Sequence, residues 1–227
     1  MSPVAVFFAV AAIYTVAAAV TLWHVIRDWR ALFDARWTVR DRTLAERSGF
    51  LLLTPPLVWL HEWGHALAMR HFGAADPQIH FFLYWGYVTA QHPFTRDEAF
   101  WTALAGPLTS WVLGWALLVV ALLAPLPPAA ALAVAIAALT DLALVLILYP
   151  AWSLVGGWGD FVDIYRGGPP GATPLVGAAH GLSLLAFGWL LNRPWLRGFL
   201  LYPRPFPWRT RWGVHTTPGN AQPSAES

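Results

Sequence analysis

Five long, predominantly apolar runs constrain this chain more than any other feature. They cover about Val4–Ile26, Gly49–Met69, Ala99–Ala124, Ala129–Leu148 and Leu175–Leu191. A helix rises about 1.5 Å per residue, so roughly 20 residues cross about 30 Å of hydrocarbon. Composition points the same way. The chain is 57% hydrophobic and 11% charged, against about 25% charged in ordinary soluble domains. Its 15 Trp suit membrane–water interfaces. The expected fold class is an all-α membrane protein: a polytopic bundle of about five to six transmembrane helices forming one integral membrane domain over residues 1–227. The first run has no positive segment before it and no small-residue cleavage site after it, so it reads as a span and not as a signal peptide.

Charge refines the arrangement. All 14 basic residues are Arg, the net charge is +2 and the pI is about 9.3, too mild a balance to imply nucleic acid as a partner. Arg27, Arg30, Arg36, Arg40, Arg42 and Arg47 follow the first run, and Arg193, Arg197, Arg204, Arg209 and Arg211 follow the last. With the N-terminus outside, five spans place both segments in the cytoplasm, as the positive-inside rule asks. A partial sixth span around Asp160 would upset that count. The expected location is the cell membrane, multi-pass, with a polar, disordered tail from about residue 204. Cys is absent, so a metal site would have to draw on His, Asp and Glu.

Local signals mark the elements. Thr54 suits a helix N-cap and Pro55 a first helical position, predicting a helix from about Pro55 to His71 that closes near Gly73. Gln78–Ala90 is rich in aromatic and β-forming residues and predicts a short hairpin or re-entrant element. Pro125, Pro127 and Pro128 separate the third and fourth runs, and a Gly/Trp segment, Trp152–Trp158, leads to Asp160 and Asp163.

The sharpest local pattern is His61-Glu62-Trp63-Gly64-His65. Residues four apart share a helix face, so both imidazoles can address one zinc ion while Glu62 stands beside them as a base. Zinc lowers the pKa of a bound water to about 7, and a neighbouring carboxylate can then take its proton. A Glu inside an apolar run costs about 2.5–3.5 kcal/mol on insertion scales, so its placement there calls for a reason. Catalytic zinc has three protein ligands, and the sequence offers Asp141, Asp160, Asp163, His80, His92 and His180 for the third. Asp160 and Asp163 follow the pliable Gly156-Gly157-Trp158-Gly159, which favours them over the mid-span Asp141. Asp141 also suits a buried tie between helices, His24 and His180 suit packing within spans, and Gly64 and Gly106 suit close helix approach.

The HExxH helix, the later Ala105-Gly106-Pro107-Leu108 within a span and an Asp near Gly at a helix break together resemble the site-2 protease (M50) family of intramembrane zinc metalloproteases. The stretch from Gly86-Tyr87-Val88 through Arg96-Asp97-Glu98 to Ala105-Gly106-Pro107 is similar to that family's run between its metal helix and its next span, so the likeness covers roughly residues 49–166. The chain departs from the family where Tyr149-Pro150 and Gly159-Asp160-Phe161 replace Asn-x-x-Pro and Leu-Asp-Gly. The resemblance implies zinc held by His61, His65 and Asp160, with Asp163 as the alternative, and Glu62 as general base. It also implies a membrane-protein substrate cut in or near a transmembrane segment. An edge strand in Gln78–Ala90 would suit an extended substrate. Two rivals use the same residues: a polytopic scaffold or transporter with a structural metal, and a hydrolase of lipid or isoprenoid substrates.

Overall fold

The computed structural model describes residues 3–34 and 37–203; the tail from about residue 204 lies outside the described residues. The chain is mostly helical. Helix α1 (Pro3–Arg27) coincides with the first apolar run, and the short α2 (Trp29–Leu32) follows it. Helix α3 (Val39–Leu52) opens on a capping box in which Thr38 and Asp41 exchange side-chain and backbone hydrogen bonds, satisfying N–H groups the first turn would leave unpaired. Helix α4 (Thr54–His71) carries the HExxH residues.

The second apolar run therefore does not form one helix. The chain breaks at Leu53, between α3 and α4. Pro55 has no N–H, so the carbonyl four residues before it, that of Leu51, has no partner in a continuous helix. The Tyr84 hydroxyl donates to it instead, at 2.8 Å. The expected N-cap is off by one position. Leu53 occupies it, and the Thr54 hydroxyl is buried with no hydrogen-bond partner among the described residues. At the other end, Gly73 takes φ of 97°, the left-handed turn in which glycine ends helices.

The expected hairpin is present. Strands β1 (Gln78–Phe81) and β2 (Gly86–Thr89) pair antiparallel, with Gln78 opposite Thr89 and Phe81 opposite Gly86. Helix α5 (Arg96–Leu123) begins with a second capping box, between Thr95 and Glu98. It is the central element and packs against α4, against α6 (Pro128–Ala143) and against α8 (Asp160–Arg166). Phe100, Leu104, Leu118, Leu142, Leu146, Phe161 and Ile164 form the main core there.

The fourth run does not stop at Leu148 as its sequence suggests. A π-helical turn (Leu144–Leu148) carries α6 into α7 (Tyr149–Gly156), giving a continuous helix of 29 residues. The π turn widens the backbone just before Pro150. Leu146 O, within that turn, accepts from His180 Nε2 of α9 (Ala172–Leu191) at 2.8 Å. His180 is thus hydrogen-bonded within the bundle. The last helix is α10 (Pro194–Leu201).

Three helices, Arg96–Leu123, Pro128–Gly156 and Ala172–Leu191, are long and apolar enough to cross a membrane. The third buries little of itself: Leu175, Leu182 and Leu185 are 71%, 68% and 72% exposed. Contiguous apolar exposure of this kind is the mark of a surface made for lipid or a partner, and these helices associate the chain with a membrane.

Candidate metal centre

The site forms where three helices meet. Helix α4 supplies His61 and His65 from one face, four residues apart. Asp160 arrives from the first turn of α8, directly after Gly159, which takes φ of 92°. That left-handed conformation is open to glycine at no steric cost. Gly157, at φ of 72°, ends α7 in a left-handed turn, and Gly159 then starts α8 with the Asp160 carboxylate facing the two histidines. A side chain at Gly159 would also meet Ser153 Oγ at 2.9 Å and Tyr149 OH at 3.1 Å.

Three atoms converge. His61 Nε2 and His65 Nε2 lie 3.2 Å apart. Asp160 Oδ2 is 3.4 Å from the first and 3.2 Å from the second. A tetrahedral zinc with bonds of about 2.0–2.1 Å separates its ligand atoms by about 3.3 Å. The triangle therefore has the size of one face of that tetrahedron, and the fourth vertex is left for water or substrate. Two neutral imidazoles with one carboxylate also match the donor chemistry of catalytic zinc sites. The group could hold a metal ion. The side chains of His61 and Asp160 keep 15% and 19% of their surface exposed, against 8% for His65, so the site opens on the His61–Asp160 side.

Each donor is held from behind. His65 Nδ1 donates to the Thr102 carbonyl at 2.7 Å, which leaves the Nε2 lone pair for a metal. His61 Nδ1 meets Ser110 Oγ at 3.2 Å. The Tyr149 hydroxyl donates to Asp160 Oδ2 at 2.9 Å, and the Asp160 backbone N–H donates to the same hydroxyl oxygen at 3.2 Å. Arg96 fixes the far end of α8, donating to the carbonyls of Gly167 and Arg166 at 2.8 and 3.2 Å.

Glycine makes the helix crossing possible. A Cβ at Gly106 would overlap the His65 imidazole, and one at Gly64 would meet Thr109 Oγ1 at 2.5 Å and the Ala105 carbonyl at 2.7 Å. Glu62 is 5% exposed and lies within electrostatic reach of His65 and Asp160. Strand β2 covers it closely: a Cβ at Gly86 would come within 2.8 Å of Glu62 Cγ.

The other candidates stand apart from the triangle. Asp163 shares α8 with Asp160 but faces outward. His80 pairs with Thr89 Oγ1 at 3.1 Å on the hairpin, His92 lies against Gly73 and Phe94, and His180 holds Tyr165 and Leu146. Asp141 lies on α6 against Gly114 of α5, apart from the triangle.

Sequence reasoning missed Thr102, Ser110 and Tyr149. The signal for the first two is a stripe on α5, Thr102-Gly106-Ser110-Gly114, small or polar at every fourth position of an otherwise apolar helix. Such a stripe marks the face on which another helix closes. Tyr149 carries no comparable signal, since an aromatic next to proline in an apolar run reads equally well as packing. No known protein family, curated protein or solved structure matches this chain.

Proposed function

We propose that the chain is a zinc-dependent intramembrane endopeptidase of the site-2 protease kind, cutting a peptide bond in or near a transmembrane segment of another membrane protein. The observation that carries this reading is the triangle of His61 Nε2, His65 Nε2 and Asp160 Oδ2, with edges of 3.2–3.4 Å, standing beside the buried Glu62. Zinc held there supplies a Lewis acid that activates water and polarises a peptide carbonyl. The remaining work falls to the chain's own side chains. His61 and His65 present neutral Nε2 donors, and Asp160 adds the one negative charge, oriented by Tyr149. Glu62 takes the proton of the attacking water and returns it to the leaving amine. Its burial under β2 keeps bulk water from competing for that proton. An extended substrate segment adds to an edge of the β1–β2 hairpin, where backbone groups recognise any sequence and side-chain pockets select among them.

The membrane arrangement belongs to the same proposal. Helices α1 and α4 join the three long apolar helices to give five spans of a multi-pass protein in the cell membrane, with the Arg-rich segments 27–47 and 193–211 on the cytoplasmic side.

Bound zinc, measured by elemental analysis on protein purified without chelator, tests the ligand set. About one zinc per chain is expected in the wild type and in Glu62→Gln, with loss in His65→Ala and Asp160→Asn. Glu62→Gln should lose at least about 10²-fold in cleavage of a transmembrane substrate reconstituted in liposomes. Zinc absent from the wild type sinks the proposal. Zinc retained with no Glu62-dependent cleavage transfers the assignment to a scaffold or transporter with a structural metal.

A further inference from the structure

The proposed hydrolysis leaves one requirement without a residue. When water adds to a peptide carbonyl, its oxygen bonds to the carbonyl carbon, its proton passes to Glu62, and the electron pair of the C=O bond moves onto the carbonyl oxygen. Negative charge gathers on that oxygen, and a fixed N–H or O–H donor aimed at it is usually the largest single contribution to such catalysis. Most donors around the triangle are turned away from it. His65 Nδ1 is bound to the Thr102 carbonyl and His61 Nδ1 meets Ser110 Oγ, both behind the rings, and Arg96 caps the far end of α8. Tyr149 differs. Its ring lies edge-on to the His61 ring, with centroids 6.2 Å apart, and its hydroxyl is 2.9 Å from Asp160 Oδ2, the atom in the triangle. It thus borders His61 and Asp160 together, the two residues on whose side the site opens.

The hydroxyl is held for such a task. The Asp160 backbone N–H donates to its oxygen at 3.2 Å, and the ring packs edge-to-face on Phe161 at 5.4 Å. Gly159 lies so near that a Cβ there would meet the hydroxyl oxygen at 3.1 Å and Cε2 at 3.3 Å. These contacts fix the oxygen, and only the direction of the O–H is free to turn. Accepting an N–H bond also strengthens the O–H as a donor. Ligand atoms on one zinc stand about 3.3 Å apart, so a hydroxyl 2.9 Å from one of them can bridge to a neighbouring position by turning its proton alone. We infer that Tyr149 is a catalytic residue, whose O–H turns from Asp160 Oδ2 to the substrate's carbonyl oxygen as charge develops there. Glu62 on α4 and Tyr149 on α7 then divide the work, the first taking the proton and the second receiving the charge. The competing account is that Tyr149 only orients Asp160, and the two differ once the site is saturated with metal.

This inference rests on the zinc reading, and its test separates the two. Full-length wild type and Tyr149→Phe are loaded with cobalt to saturation, and two probes are titrated in and followed by the visible spectrum. One is a phosphinic peptide of alanine and leucine residues, whose tetrahedral oxygens mimic the charged carbonyl oxygen. The other is a peptide thiol of the same residues, which binds metal through sulfur and offers no such oxygen. Tyr149→Phe is expected to weaken the phosphinic peptide by about 10²- to 10³-fold and to leave the thiol within about twofold. With saturating zinc and a transmembrane substrate reconstituted in liposomes, kcat should fall by a similar factor at unchanged KM. Probes that both bind the variant as they bind the wild type, or that weaken equally, show that Tyr149 acts through Asp160 alone and overturn the inference. Recovery of wild-type kcat on adding zinc overturns it as well. Should Tyr149→Phe take up no metal at any concentration, fluorotyrosine placed at position 149 carries the test, because it keeps the hydroxyl on Asp160 and makes it a stronger donor. Phosphinic affinity must then rise while thiol affinity holds, and unchanged affinities overturn the inference. A wild type that takes up neither zinc nor cobalt defeats the metal reading itself, whereas a wild type that takes up both while the variant binds the two probes as tightly defeats only the role of Tyr149.

Discussion

At the scale of single residues, the site depends as much on missing atoms as on the donors. Gly106 sits where its Cβ would occupy the His65 ring, so Gly106→Ala must rotate that ring or push α5 away from α4. Either movement pulls one vertex out of a triangle whose edges are already those of a zinc tetrahedron. Gly106→Ala is expected to weaken zinc at least about tenfold, read by chelator competition; wild-type affinity would show that the ring has room to give. Tyr149→Phe tests a hydroxyl alone. The ring keeps its edge-to-face contact with Phe161 at 5.4 Å, while Asp160 Oδ2 loses its donor. A loss of about tenfold in zinc affinity, read by chelator competition, is expected. These residues differ in how readable they were. His61 and His65 follow from helical spacing, because four residues is one turn. Asp160 and Asp163 are three apart on a short helix, and spacing alone could not choose between them. The choice is made by Gly159, whose left-handed φ sets the direction in which α8 starts. Tyr149 was hidden because a hydroxyl becomes functional only through what the fold brings within 3 Å of it.

At the scale of elements, two prolines shape the bundle, and each is completed by a side chain from elsewhere. Pro55 frees the Leu51 carbonyl, which Tyr84 takes from the hairpin. Next to Pro150, the Leu146 carbonyl of the π turn is taken by His180 from α9. The apolar runs made helices foreseeable, and the hairpin was legible from its aromatic and β-forming residues. The break at Leu53 and the continuation through Pro150 were not legible, because the same residue type ends one helix and is absorbed by a π turn in the other. The outcome depends on whether a distant donor can reach the orphaned carbonyl. The Tyr84 contact also fixes the turn of the hairpin to the start of the metal-binding helix. Tyr84→Phe removes only the hydroxyl and leaves the Leu51 carbonyl without its donor, so a loss of about 1–3 kcal/mol is expected. Thermal unfolding of the metal-free protein in detergent reads it. An unchanged midpoint would mean that the break at Leu53 is held by packing alone.

At the scale of the whole molecule, the open question is how many helices cross the membrane. Among the described residues, three are long and apolar enough by themselves. Helix α4 is shorter, at 18 residues, and carries the site's polar groups, while α1 coincides with the first apolar run. The two counts predict different topologies. With five spans, the segment after α1 and the segment after α9 each follow an odd number of crossings and face the same side. With only the three long helices crossing, the first segment precedes every crossing and the second follows all three, so they face opposite sides. The absence of Cys from the chain gives a clean measurement, since one introduced thiol reports its side without background. Ala31 on α2 and Gly198 on α10 are suitable positions: Ala31 is exposed, and a Cβ at Gly198 meets nothing within 4 Å. Neither change removes an Arg, so the charge signal that sets orientation is kept. In sealed vesicles, Ala31→Cys and Gly198→Cys are expected to react alike with a membrane-impermeant maleimide, both protected in right-side-out vesicles and both labelled when inverted. Opposite labelling would exclude five crossings and lay α4 at the interface. The metal triangle would then open toward the membrane surface, and a substrate would be cut outside the hydrocarbon.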